Sequence, residues 1–157
     1  MAGWGSHPYN PIPLTGKGDR SLCTVRVPAD HYWPLRKDCI PIGETFAVAD
    51  KYDLREAAAI QDMTYDDVWT SITLEDGWSR CDMHDPHHGL TVATEADAVF
   101  REWVVYAPPD KPVICFEPYT CTTDAFNLQA RGIDAGMVRL KPGESLKGSM
   151  RIRPTSV

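Results

Sequence analysis

The sequence predicts an all-β sandwich or barrel. Thirteen prolines and eleven glycines fall between short apolar segments. No stretch carries a long 3.6-residue apolar period, whereas several short runs alternate with period 2. Turn residues separate those runs at the spacing of consecutive strands.

In chain order, residues 16–20 read as a loop around Gly16 and Gly18. Residues 21–27 alternate, with Leu22, Thr24 and Arg26 on one face and Cys23, Val25 and Val27 on the other. Residues 45–49 are rich in strand formers. Residues 54–62 are the one stretch with helical propensity, and it is short. Residues 68–74 alternate around Trp69, Ile72 and Leu74, and Glu75-Asp76-Gly77 reads as the turn that follows. Strands are expected over 90–94, 99–106, 113–116, 136–140 and 149–152. Pro108-Pro109-Asp110 and Lys141-Pro142-Gly143 punctuate them.

At 157 residues the chain is expected to form a single domain spanning 1–157, large enough to bury a core without disulfide staples. Hydrophobic residues make up 43% and charged residues 24%, which excludes collagenous, disordered and coiled-coil classes. Sixteen Lys and Arg against 22 Asp and Glu leave a net charge of −6, a poor match to the phosphate contacts of nucleic acid. No apolar run reaches the ~18 residues of a membrane span. Residues 1–9 show neither the positive segment nor the apolar segment of a secretory signal. Five cysteines with no Cys-x-x-Cys spacing are expected to be buried, reduced thiols. Together these features point to a cytoplasmic protein acting on a small substrate, without nucleic-acid or membrane partners.

Several segments carry a resemblance. Gly5-Ser6-His7-Pro8-Tyr9 is similar to a Gly-x-His-Pro-Tyr motif, and Asp38-Cys39-Ile40-Pro41-Ile42-Gly43-Glu44 to an Ile-Pro-Thr-Gly-Glu segment. Tyr52-Asp53-Leu54-Arg55 resembles Phe-Asp-Phe-Arg, and Tyr65-Asp66-Asp67-Val68-Trp69 resembles Leu-Asp-x-x-Phe. Val105-Tyr106 matches a Val-Tyr strand. Phe116-Glu117-Pro118-Tyr119-Thr120 resembles a Glu-Pro-x-Thr strand, and Leu140-Lys141-Pro142-Gly143-Glu144 a closing Leu-x-Pro-Gly-Glu turn. Each is weak alone. The ordered set resembles the aldose 1-epimerases, or galactose mutarotases, whose members run to about twice this length as one domain. The chain is similar to the C-terminal half of that large antiparallel β-sandwich. The N-terminal half of the family carries further strands, an arginine and a second active-site histidine that have no counterpart here.

The resemblance implies interconversion of the α and β anomers of a free aldohexose such as galactose or glucose. One group removes the proton of the anomeric hydroxyl and another protonates the ring oxygen. No cofactor or metal is needed. Glu117 is implied as the base. It shares one strand face with Val113 and Cys115, where a carboxylate is costly unless used or paired. His7 is implied as the acid; the following Pro8 biases it to extended backbone. Asp66 is implied as a sugar-hydroxyl ligand, with Asp67 the rival, since neighbours on a strand face opposite sides. Tyr9 is placed with the substrate; Trp4, Tyr9 and Trp69 each offer an apolar face for a sugar ring, with core packing the stronger expectation for any one of them, and Tyr119 is a further candidate for the pocket wall. Asp67 stands where galactose-specific members often carry a histidine, which leaves the preferred sugar open.

Other charged residues have plainer roles. Arg55 is expected to pair structurally with Asp53. The His84-Asp85-Pro86-His87-His88 cluster offers imidazoles and carboxylates, but Asp-Pro followed by Gly89 reads as a turn rather than a metal site. A rival to the enzyme reading is a non-catalytic carbohydrate-binding or structural half-domain. Such a half, with open strand edges, would associate as a homodimer or with a complementing N-terminal half.

Overall fold

The computed structural model describes residues 1–156. Among them eleven strands form two antiparallel sheets. The strands are β1 (Tyr9–Pro11), β2 (Thr24–Arg26), β3 (Ala29–Trp33), β4 (Phe46–Ala47), β5 (Ala58–Ala59), β6 (Tyr65–Ile72), β7 (Trp78–Asp85), β8 (Leu90–Asp97), β9 (Glu102–Ala107), β10 (Val113–Tyr119) and β11 (Met150–Ser156). One short helix, α1 (Ala125–Ala130), follows β10. The first sheet runs β1-β10-β9-β6-β3-β4 and the second β11-β8-β7-β2-β5.

Period-2 patterning explains why the sheets stack. Trp69, Trp103, Val105, Ile114 and Phe116 from the first sheet meet Val25, Cys81, Met83 and Ala96 from the second in one core. Trp69 and Trp103 are fully buried, and each indole satisfies its N–H. Trp103 Nε1 donates to Ser79 Oγ across the sandwich at 2.9 Å, and Trp69 Nε1 donates to the Tyr52 carbonyl at 2.9 Å. Losing either ring would cost about 3–5 kcal/mol.

The other face of the first sheet is half covered. Trp33, Val68 and Val104 pack there against Ala125 and Leu128 of α1 and against Ala135. Toward β1 the cover stops and the sheet face is open.

The sequence expectations for secondary structure hold, with shifted ends, for β2, β4, β6, β8, β9, β10 and β11 and fail elsewhere. Residues 54–62 are not helical. Ala58–Ala59 pairs with β2, and the Ile60 and Gln61 N–H groups donate to the carbonyls of Cys23 and Ser21. Leu54 and Ile60 are buried in the core, and that burial outweighs a weak local helix propensity. Residues 136–140 form no strand, only a bridge between Val138 and Ala2. The strand expected over 68–74 lies over Tyr65–Ile72, and those over 90–94 and 113–116 extend to Asp97 and Tyr119. β1, β3, β7 and α1 form where the sequence predicts no element. In β7 the buried Ser79, Cys81, Met83 and Asp85 alternate with Arg80, Asp82 and His84, so half its buried row is polar and its apolar signal is weak. The 75–77 turn forms as expected, with positive φ at Asp76 and Gly77, the backbone a tight hairpin needs.

Two expectations about cysteines and histidines divide in the same way. All five cysteines are free; Cys23, Cys81 and Cys115 are buried, but Cys39 is exposed. The 84–88 cluster is a structural turn. Buried Asp85 accepts from the Leu14 and His87 N–H groups and from the His88 ring, while His84 Nδ1 pairs with Thr91 Oγ1. Arg55 grips Asp53 through Nε at 2.9 Å and a terminal nitrogen at 2.7 Å, the expected pairing.

Candidate active site

The open part of the first sheet is built by register. β1 pairs with β10 so that Tyr9 faces Cys115, and a bridge joins Gly5 to Tyr119. The same antiparallel register sets His7 beside Glu117. Two cross-sheet rows result. Glu117 neighbours Val104, then Val68 and Trp33; Tyr9 neighbours Cys115, then Tyr106 and Asp66. The far end of the first row, at Val68 and Trp33, packs with α1, and its near end at Glu117 and Val104 reaches the open part of the sheet. The second lines a cleft of about 350 Å³ whose walls include His7, Tyr9, Asp66, Tyr106, Glu117 and Tyr119.

Glu117 sits at the floor with 2% of its surface exposed. Burial drives its carboxyl up to about 7; the nearby Asp66 charge adds to this, and a hydrogen bond from Tyr119 opposes it. Tyr119 Oη donates to Glu117 Oε2 at 3.0 Å. His7 Nε2 lies 3.2 Å from Glu117 Oε1, off the line of a hydrogen bond, and Oε1 has no hydrogen-bond partner. A buried carboxylate oxygen aimed into a cleft without a partner is costly by ~1–3 kcal/mol in the free protein. A ligand hydroxyl placed there would recover that cost.

Gly5 makes the arrangement possible. A Cβ at position 5 would fall 2.2 Å from the Tyr119 ring, so only glycine lets the ring lie over this strand and reach Glu117. His7 is 43% exposed in its side chain and stacks on Tyr9, centroids 4.8 Å apart and planes at 11°.

The two adjacent aspartates separate cleanly. Asp66 opens into the cleft, with the Cys39 thiol 3.7 Å from Oδ2. Asp67 turns to the other side and accepts from Lys51 Nζ at 3.3 Å and Tyr52 Oη at 3.2 Å. Tyr9 lines the cleft, whereas Trp69 is buried in the core and Trp4 packs edge-on against Phe100.

Tyr106, Cys115 and Cys39 are neighbours of the cleft that the sequence does not announce. Tyr106 and Cys115 share a face with Asp66 and Glu117 in the strand alternation, but nothing in the sequence says that this face is the open one. Glu102 is a further residue without a sequence signal. It is buried, accepts from Trp33 Nε1 at 3.1 Å, and is pushed up to about 7 by burial.

The fold and the site together define a class: an antiparallel two-sheet β-sandwich with a buried carboxylate and an imidazole side by side in an open cleft. The chain belongs to the aldose 1-epimerase family, whose profile matches residues 1–153. It superposes on a galactose mutarotase-like protein from Clostridium acetobutylicum with a TM-score of 0.84 at 22% identity, covering 99% of this chain and 48% of that one. A candidate aldose 1-epimerase from Escherichia coli K12 matches with a TM-score of 0.75 at 20% identity, covering 99% and 50%. An aldose epimerase homologue from C. elegans matches with a TM-score of 0.71 at 14% identity, covering 87% and 46%. The chain spans about half the length of these structures.

Proposed function

We propose that the cleft interconverts the α and β anomers of a free aldohexose. The observation that carries this is Glu117 Oε1, buried and without a hydrogen-bond partner, beside His7 Nε2 at 3.2 Å. Glu117 takes the proton of the anomeric hydroxyl, and His7 gives one to the ring oxygen. The ring opens to the aldehyde, the bond between C1 and C2 rotates, and closure on the other face reverses both transfers. The two oxygens share one carbon, so a base and an acid in contact suit the reaction better than groups on opposite walls. Asp66 binds a sugar hydroxyl, and the rings of Tyr9 and Tyr106 form its apolar wall. No lysine or arginine lines the cleft among the described residues, which favours an uncharged sugar over a phosphorylated one.

Freshly dissolved α-galactose and α-glucose, followed by polarimetry, test this. Equilibration faster than the uncatalysed rate, lost in Glu117→Gln, supports the reading. A folded chain that leaves the rate unchanged overturns it.

A second reading is favoured by β11. It pairs only with β8 among the described residues, and residues 151–156 are exposed. Ile152, 46% exposed, lies beside the core-facing Thr94, so the second sheet extends past the cover of the first. An edge of this kind pairs with further strands. On this reading the chain binds sugar but needs a complementing half, or a second copy, to catalyse. The other half of a full-length relative, supplied in trans, would then restore turnover that the chain alone lacks.

A further inference from the structure

The proton-transfer chemistry leaves one buried group beside the cleft unused. Cys115 precedes Glu117 by two residues on β10, so both side chains leave the same face of the strand. Among the described residues, one set of three metal-ligating side chains converges: His7, Cys115 and Glu117, with ligand atoms all within 4.8 Å of one another.

The donors are an imidazole nitrogen, a thiol sulfur and a carboxylate oxygen. Hard cations such as calcium and magnesium need mostly oxygen ligands and are a poor match. Mixed nitrogen, sulfur and oxygen donors with one open position suit zinc and its tetrahedral neighbours. Two observations beyond the cluster support a ligand at this point. Glu117 Oε1 is buried and has no hydrogen-bond partner. The other carboxylate oxygen is held by Tyr119, which leaves Oε1 fixed and directed, as a metal-binding carboxylate needs. The 3.2 Å between His7 Nε2 and Glu117 Oε1 is close to the ~3.4 Å edge of a tetrahedron built on zinc bonds of ~2.1 Å. The sulfur lies within 4.8 Å of the other two donors and has to close toward the ~3.6 Å edge of a zinc-bound pair; His7, half exposed beside its strand, has the freedom to follow it.

We propose that His7 Nε2, the Cys115 thiolate and Glu117 Oε1 form a zinc-binding site in the cleft, with a water in the fourth position. Binding releases the Cys115 proton to solvent and forms the zinc–sulfur bond; nothing is oxidised or reduced. Zinc there occupies both proton-transfer groups. It is then an inhibitor rather than a cofactor, a consequence that rests on the proposed anomer chemistry, as the site itself does not.

Cobalt chloride is the probe, added to the purified 157-residue chain. The expected result is one cobalt per chain, intense visible bands of a tetrahedral ion, a thiolate-to-cobalt charge-transfer band, and loss of all of these on addition of zinc. Cys115→Ala removes the charge-transfer band. His7→Gln, at a half-exposed position that leaves the fold intact, weakens binding at least ~10-fold. Cys39→Ser leaves the spectrum unchanged. Absence of a thiolate band, or a band lost in Cys39→Ser and retained in Cys115→Ala, overturns the site; the latter places the metal on Cys39 and Asp66. The readout needs no sugar turnover. A chain that binds cobalt without turning over sugar therefore counts against the anomer reaction alone, and one that turns over sugar without binding cobalt counts against the metal site alone.

Discussion

His7 and Glu117, far apart in the chain, meet with Nε2 and Oε1 3.2 Å apart, and the carboxylate oxygen is left buried with no hydrogen bond. The pairing of β1 with β10 brings this about, and Tyr119 holds the other carboxylate oxygen in place. The free oxygen is the point at which a sugar hydroxyl would add a hydrogen bond.

Replacing Glu117 by Gln keeps the shape and removes the proton acceptor. The anomer rate is expected to fall by at least ~10²-fold, the usual scale of general acid–base catalysis. Polarimetry, with circular dichroism to show that the fold persists, checks this. An unchanged rate would remove Glu117 from the reaction.

Gly5→Ala places a methyl group where the Tyr119 ring lies, 2.2 Å from its nearest carbon. The ring has to swing away and release Glu117. The expected cost is ~1–3 kcal/mol of stability from overpacking, together with a drop in the anomer rate. Urea unfolding and polarimetry on the same preparation read both. Tyr119→Phe removes the hydrogen bond without the clash, so it should reproduce the loss of rate with less loss of stability.

Asp66→Asn and Asp67→Asn should separate. Asp66 faces the cleft, and its loss is expected to raise KM for the sugar by ~10-fold with little change in stability. Asp67 faces Lys51 and Tyr52, and its loss should cost ~1 kcal/mol of stability and leave KM unchanged. The opposite pattern would exchange their roles.

Glu102 and Glu117 both have carboxyls raised from the ordinary 4.5 to about 7, chiefly by burial. A raised carboxyl holds its proton in the folded state over a range where the unfolded chain has lost it. Stability is therefore expected to fall as pH rises from about 4.5 to about 7, with a slope of at most ~1.4 kcal/mol per pH unit for each group. Carboxylates with lowered values, such as Glu95 and Asp134, act with the opposite sign and below that window. Urea unfolding across this range should show a clearly shallower decline in Glu102→Gln. An equal slope in wild type and variant would mean that Glu102 ionises without cost beside Trp33.

Much of this protein is legible from its residues alone. Strand patterning places β2, β6, β8, β9 and β10 but not the core strand β7, the 75–77 turn follows from Asp76-Gly77, and the Asp53–Arg55 pairing follows from their spacing and charge. Alternation also puts Cys115 and Glu117 on one face, and Asp66 and Asp67 on opposite faces. A period of two says which residues share a face, but not which face is covered. That was decided only when the two sheets stacked on Trp69 and Trp103 and α1 packed over Trp33 and Val68 but not over Tyr106. The choice between Asp66 and Asp67, the cost of burying Glu102, and the contact of His7 with Glu117 all follow from that stacking and from strand register. Register depends on pairing between segments far apart in the chain, and no local pattern encodes it.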